Sequence, residues 1–329
     1  MRAAWDDLNA RAQGLSSRLL GRRGLEGLCA ATSIDELARL LDRAGFGPLQ
    51  RPATAEQLES AVRRIAADRL RILARWSGQR TAALAVVFED EDRRSLRALI
   101  RGAASSAPRE ARLSGLVPTP ALSPRALEEL ASISDLEKLA ATLQAWGNPY
   151  AEALQGGKGL PRPDLLHLET GLVRVFAQRA SAGARHGDRA LVQFVEETID
   201  VENALAAVVL APREPEGWFV QGGRALRRDA FDHAIRAPDH GDAARRLAAA
   251  MAGTPFAEAL ASSPPSLERN LLAVRAREHT KAARQEPLTS QPLLSFALRL
   301  RAETFDLQAV IWAVALGAPA RDLRFTSPA

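Results

Sequence analysis

One acidic motif occurs three times along the chain at an even spacing. Glu89-x-x-Asp92-x-x-Ser95-Leu96 recurs as Glu197-x-x-Asp200-x-x-Asn203-Ala204 and as Glu303-x-x-Asp306-x-x-Ala309-Val310, 108 and 106 residues apart. Each copy reads as the lead into a short apolar helix. A second motif is interleaved with the first: Pro149-Tyr150-Ala151-Glu152-Ala153-Leu154 matches Pro255-Phe256-Ala257-Glu258-Ala259-Leu260, with a weaker copy at Phe46-Gly47-Pro48-Leu49. Asp92 precedes Tyr150 by 58 residues and Asp200 precedes Phe256 by 56, yet only 23 residues follow Asp306. The third repeat therefore runs out of chain, and its missing half lies at the N-terminus. A single Glu-x-x-Asp is explained by an acidic first turn facing the helix dipole. Three copies interleaved in even register with a second motif are not. A repeat split between the two ends implies that the ends meet and close three units into a ring, whereas a linear solenoid carries two different capping repeats. The expected units are 1–50 together with 303–329, then 51–160, then 161–302.

These units are expected to be helical. The chain is 329 residues long, 47% hydrophobic and 25% charged, with only ten Phe, five Trp and one Tyr. Its apolar mass is Ala and Leu rather than the β-branched residues that favour strands. The spacing predicts an all-α fold. Thr54-x-x-Gln57 is a capping box ahead of Leu58, Val62, Ile65, Ile72, Leu73 and Trp76, which fall on one helical face. Ser33-x-x-Glu36 and Ser134-x-x-Glu137 are two more boxes, and Ser123-Pro124 joins an N-cap to a first-turn proline. Short helices are expected near 33–44 and 124–145 and long ones near 55–77, 164–182 and 267–285. Thr81 to Phe88 has strand propensity but no obvious partner, so it reads as the start of another buried helix.

Catalytic patterns are missing. Gly156-Gly157-Lys158-Gly159 lacks the Ser or Thr that a phosphate loop places after its lysine, so it reads as a turn. His167, His186, His233, His240 and His279 form no zinc-binding pair and are read as surface or core histidines. Cys29, the only cysteine, excludes a disulfide framework and reads as a small buried thiol suited to a reducing compartment. No catalytic residue, cofactor site or metal ligand is expected. The net charge is +5, and all but Lys138, Lys158 and Lys281 of the 44 basic residues are arginine. Spread among acids, these arginines read as a solvated surface, which suits acidic partners better than nucleic acid. The acids of Met1-Arg2-Ala3-Ala4-Trp5-Asp6-Asp7 argue against a signal peptide. The longest uncharged run, Leu307 to Ala320, is 14 residues, too short to span a membrane.

The threefold repeat, the Glu/Asp-led helices, Phe219-Val220-Gln221-Gly222-Gly223-Arg224, Gly253-Thr254-Pro255-Phe256 and the closing run Pro292 to Leu323 carry a resemblance over essentially the whole chain. It resembles the C subunit of the archaeal and bacterial V/A-type rotary ATPases, the counterpart of the d subunit in the eukaryotic vacuolar enzyme. The resemblance implies a funnel-shaped all-helical protein of three pseudo-threefold-related domains, peripheral on the cytoplasmic side of the membrane. Such a protein joins the central-shaft subunits to the membrane rotor ring of proteolipids and passes on rotation during ion transport or ATP synthesis. It has no nucleotide site of its own. The loops Gly156 to Arg162, Arg213 to Arg224 and Gln285 to Pro292 are candidate partner contacts. The competing reading is a helical-repeat scaffold that binds an acidic protein and has nothing to do with rotary machines.

Overall fold

The computed structural model describes residues 5–155, 164–215, 217–262 and 266–328. Every regular element among them is helical: α1 (Asp6–Ser16), α2 (Gly21–Leu28), α3 (Ile34–Leu41), α4 (Ala55–Arg75), α5 (Thr81–Ala104), α6 (Arg109–Leu113), α7 (Pro124–Ser132), α8 (Leu136–Ala145), α9 (Ala151–Gln155), α10 (Leu165–Ala184), α11 (Arg189–Leu210), α12 (Arg228–Ile235), α13 (His240–Ala250), α14 (Ala257–Leu260), α15 (Leu267–Gln285) and α16 (Gln291–Ala315). Three hairpins of long helices, α4–α5, α10–α11 and α15–α16, alternate with groups of short ones. No helix among the described residues is long and apolar enough to cross a membrane.

The capping chemistry explains where several helices begin. Thr54 Oγ1 accepts from the Gln57 amide at 3.3 Å while Gln57 accepts from the Thr54 amide at 3.0 Å, so the box that starts α4 is complete. Ser123 accepts from the Ala126 amide at 3.2 Å and starts α7. At α3 the box is displaced: Ser33 accepts from the Glu36 amide, but Glu36 turns one residue further back, to the Thr32 amide at 2.9 Å. At α8 the cap is Asp135 instead of Ser134, accepting from the amides of Glu137 at 2.8 Å and Lys138 at 3.2 Å. A carboxylate makes the stronger, charge-assisted bond to those amides. Thr81 to Phe88 does open a helix, because burial of Val86, which packs near Gly183 of α10, and of Val87 overrides their strand propensity.

Two further expectations need correction. Leu58, Val62 and Leu73 of α4 are buried, but Trp76 lies beyond its last turn, is 48% exposed, and stacks under Arg11, whose guanidinium sits 3.2 Å from the ring centroid. The acidic motif does not lead into a short helix either. All three copies lie inside the long helices α5, α11 and α16, at least two turns from their starts. The helix dipole acts within the first turn, so it cannot account for these acids.

The core falls into three clusters. The largest spans α1, α5, α8, α10, α11 and α16, and the second lies within Val201 to Val274. In the third, Leu25, Leu28, Leu37, Leu41, Phe46, Leu58 and Val62 from the first part of the chain pack with Leu307, Val310 and Ile311 of α16. The aromatic of the second motif is buried in each copy, with Phe46 at 1%, Tyr150 at 1% and Phe256 at 6% exposure.

Candidate functional site: three acidic junctions and a buried arginine network

The aspartate of each acidic motif holds a loop that returns from downstream. Asp200 accepts from the amides of Arg224, Ala225 and Leu226 at 3.0, 2.7 and 3.0 Å. Asp306 accepts from the amides of Thr326 and Ser327, both at 2.8 Å. Asp92 takes the Thr119 hydroxyl at 2.5 Å, and that hydroxyl in turn accepts from the Leu122 amide at 3.0 Å. The three aspartates are 4%, 1% and 1% exposed in the order Asp92, Asp200, Asp306. Mid-helix acids are therefore tertiary clamps.

Gly222 and Gly223 let the loop approach Asp200. Gly222 has φ +114°, and a Cβ on Gly223 would lie 2.1 Å from Asp200 Oδ1. Gly223→Ala is expected to dislodge the clamp and cost about 2–3 kcal/mol, as when a buried hydrogen-bonded carboxylate loses its partners. Chemical denaturation measures it, and an unchanged midpoint would argue against the clamp.

Burial, foremost, with the neighbouring Glu89 and Glu91 carboxylates, pushes Asp92 up to about 7 despite its bond from Thr119. A carboxyl raised on folding binds a proton more tightly in the native state, so its contribution to stability is lost as pH rises from about 4 towards 7. Asp92→Asn keeps an oxygen for Thr119 and carries no charge. The stability difference between this variant and the native protein is expected to shift in favour of the variant across that window. Thermal melts at pH 5 and pH 8 check it.

The glutamate of each motif reaches a different helix. Glu89 on α5 accepts from Arg179 of α10 at 2.7 Å and from the Tyr150 hydroxyl at 2.8 Å. Glu197 on α11 lies 3.0 Å from Nε2 of His279 on α15, whose Nδ1 is 2.9 Å from Gln291. Glu303 on α16 accepts from Arg69 of α4 at 2.8 Å and from the Leu20 amide. Each hairpin's second helix is thus tied to the first helix of the next hairpin, and the third is tied back to the first. The buried aromatics sit at the same joints. Tyr150 donates to Glu89, Arg69 lies 5.8 Å from the Phe46 centroid, and Phe256 lines a cleft of about 550 Å³ with Glu197 and His279.

A second set of charges crosses the interior. Arg93, fully buried, donates to Asp90 at 2.8 Å and Glu202 at 2.7 Å. Arg97 also donates to Glu202, and Arg101 grips Glu169 of α10 with two bonds at 2.6 and 2.7 Å. Arg94 and Arg301 approach Asp90 at 3.1 and 3.6 Å. Arg275, 2% exposed, donates to the Thr198 hydroxyl at 2.7 Å and lies 4.8 Å from the Phe194 centroid. Although burial opposes ionisation, Arg93 and Arg97 hold Glu202 at about 2, and Arg94 and Arg93 keep Asp90 well below the usual carboxylate range. The reading of the arginines as solvated surface fails for Arg93 and Arg275, which are buried, and for Arg94, Arg97 and Arg301, which are nearly so, but it holds for Arg101, which is exposed. Glu89-Asp90-Glu91-Asp92-Arg93-Arg94, six charges inside one helix, was the available signal.

Among the described residues, no three His, Cys, Asp or Glu side chains gather as metal donors. Cys29 is half-buried, and burial raises its thiol pKa above the ordinary value. Of the candidate contact loops, 156–162 lies outside the described residues. The 213–224 loop is anchored, with Asn203 exchanging bonds of 2.8 and 3.0 Å with Val220. The 285–292 loop is held by Asp188, which accepts from the Ser290 amide at 2.6 Å, and by Asn9, which donates to Pro287 and Thr289.

No curated protein matches the chain at a significant level. The family model described as the ATP synthase (C/AC39) subunit matches residues 8–324. It covers all three acidic motifs, the loops held by Asp92 and Asp200, and both partners of the Arg69–Glu303 pair, while Thr326 and Ser327, held by Asp306, lie beyond it. The chain belongs to the C/AC39 family of V/A-type ATPase subunits, accessory to the catalytic ones.

Proposed function

We propose that this chain is the non-catalytic central-stalk subunit of a rotary V/A-type ATPase, coupling the central-shaft subunits to the membrane rotor ring. The observation that carries this reading is the set of three glutamate–base joints, α5 to α10, α11 to α15 and α16 to α4. A part that transmits torque must resist shear between its units. Arg69–Glu303 is shielded from water at both ends, whereas Arg179 of the first joint and Glu197 of the second are 45% and 35% exposed, so the shielded pair, in the lower dielectric, resists shear best. Joints that run in a cycle share a load among all three. The α5–α10 joint links 51–160 to 161–302 and the α16–α4 joint links 303–329 to 51–160, while the α11–α15 joint lies within 161–302; on this reading the units 1–50 with 303–329, 51–160 and 161–302 close into a funnel-shaped ring. On this reading the protein is peripheral on the cytoplasmic face and takes part in ion transport or ATP synthesis without a nucleotide site.

Affinity purification from detergent-solubilised membranes tests it. The tagged chain is expected to recover the central-shaft subunits and the proteolipid ring. Recovery of neither, with a soluble acidic protein captured instead, would favour a scaffold unrelated to rotary machines.

A further inference from the structure

The interior arginines outnumber the carboxylates that face them. Arg93, Arg94, Arg97, Arg101, Arg275 and Arg301 share three buried acids, Asp90, Glu169 and Glu202, and exposed Glu268 reaches only Arg301, at 4.0 Å. Arg275 has no carboxylate within ion-pair distance among the described residues; its bonds go to the Thr198 hydroxyl and, at 3.5 Å, the Phe194 carbonyl. Burial, foremost, outweighs Asp90 and Glu197 and lowers the Arg275 pKa below the ordinary arginine value. Donors are left over as well. Nε and Nη1 of Arg93, Nε of Arg97, Nε of Arg275 and Nη1 of Arg301 are buried without a hydrogen-bond partner among the described residues. Buried charges are normally paired and buried donors normally satisfied, so this network is short of acceptors.

A cavity of about 150 Å³ adjoins it, between α4, α5, α11 and α16. Arg94, Arg301, Asp90, Glu91 and Gln308 lie on its wall, as does Phe194, on which Arg275 packs. Two donors at this wall are uncommitted: Gln308 Nε2, and Arg301 Nη1, which is 3.6 Å from Asp90 and beyond hydrogen-bond reach. Asp90 is already met by Arg93 and Arg94 at 2.8 and 3.1 Å. Half-buried Glu91 has no hydrogen bond or ion pair among the described residues. Burial, foremost, and Asp90 outweigh Arg94 and Arg93 and raise Glu91 to about 7. Below neutral pH it is therefore an uncharged acid that donates a hydrogen bond. The walls from α4, α11 and the loop of Gly115 and Val117 bring no titratable side chain, and α16 brings only Arg301.

We propose that this cavity binds a small inorganic oxyanion of the phosphate or sulfate type, held by Arg94, Arg301 and Gln308 and bridging α5 to α16. Arg301 and Gln308 lie two turns apart on α16, about 10 Å along its axis, so a ligand that meets both needs acceptors on opposite sides. A tetrahedral oxyanion has them and a halide does not. The size agrees, since pockets for larger organic ligands start at about 300 Å³. Guanidinium groups match oxyanions well because their N–H groups are fixed in a planar fork. The bound ion supplies the negative charge and the acceptors that the surrounding arginines lack. The site does not depend on the central-stalk reading, and its failure would leave that reading standing.

Titration calorimetry of the full chain with inorganic phosphate at pH 6.5, in sodium gluconate of matched ionic strength, tests the proposal. Saturable one-to-one binding is expected, with a melting temperature that rises with phosphate concentration. Arg301→Gln and Gln308→Leu are each expected to weaken binding about tenfold, the loss of one hydrogen bond to a charged group. Gln308 is only half-buried, so its variant carries the test if Arg301→Gln does not fold. Arg245→Gln, 69% exposed on α13, is expected to bind as the native chain does and controls for general attraction to a basic protein. Sulfate keeps a constant charge from pH 6 to 8, and its binding is expected to weaken over that range as Glu91 ionises. Glu91→Gln is expected to bind sulfate and to remove the pH dependence. Absence of saturable phosphate binding, native affinity in both Arg301→Gln and Gln308→Leu, or equal weakening by Arg245→Gln would overturn the site. A pH dependence of sulfate binding that survives Glu91→Gln would overturn the part assigned to Glu91.

Discussion

Arg93→Met is expected to lower the unfolding free energy by about 3–5 kcal/mol, the cost of removing one partner from a buried ion pair. Arg93 has no exposed surface, and it is shared between Asp90 on its own helix and Glu202 on α11. Its loss leaves both carboxylates buried with less cation around them. Arg97 and Arg94 still reach Glu202 and Asp90, which places the expected cost towards the lower end. Pairing the substitution with Glu202→Gln removes the stranded charge, so the double variant is expected to be more stable than Arg93→Met alone. Urea unfolding of the four proteins in the cycle gives the coupling directly. Coupling below about 0.5 kcal/mol would contradict an energetically important network. The pH dependence has a defined sign. Glu202 is held at about 2, below its unfolded value, so its stabilising contribution is present above about pH 4.5 and is lost as pH falls towards 2.

Arg69→Ala is expected to cost a similar amount, about 3–5 kcal/mol, for a different structural reason. It breaks the one joint whose partners come from opposite ends of the chain. Glu303, with 3% of its side chain exposed, keeps only the bond from the Leu20 amide. Burial already holds the Glu303 carboxyl above its ordinary value, and Arg69 is the main influence opposing that rise. A carboxyl raised on folding destabilises increasingly as pH climbs above its unfolded value. The variant is therefore expected to lose more stability at pH 8 than at pH 5. Hydrogen exchange is expected to rise first in α2 and α3, which share a core with Leu307, Val310 and Ile311. Arg69→Met with Glu303→Leu replaces the pair by apolar groups and is expected to recover most of the stability. If Arg69→Ala melts with the native protein and exchange stays unchanged, the joint does not hold the ends together.

The positions of most helices were legible because their signals are local. Thr54 with Gln57, and Ser123 with Pro124, mark helix starts through bonds that span three residues. The same locality explains the error at α8, where adjacent Ser134 and Asp135 both offer a cap and the carboxylate takes it. Trp76 was misplaced because apolar periodicity does not report where a helix ends or which cation stacks on a ring. The arginines were misread for a deeper reason. An isolated charge prefers water by many kcal/mol, and only a close arrangement of counter-charges from elsewhere in the chain reverses that preference. Composition does not contain that arrangement.

By itself, the sequence determined an all-helical chain that carries three evenly spaced Glu-x-x-Asp motifs with a second motif between them. Those follow from propensity, capping and spacing, which act along the chain. Tertiary structure alone decided what the repeated acids do. Asp92, Asp200 and Asp306 hold returning loops 20 to 27 residues downstream, while Glu89, Glu197 and Glu303 reach partners 90, 82 and 234 residues away. A carboxylate in mid-helix has the same letter whether it faces water or a buried arginine. Its role is set by the dielectric around it and by the donors that packing brings within about 3 Å.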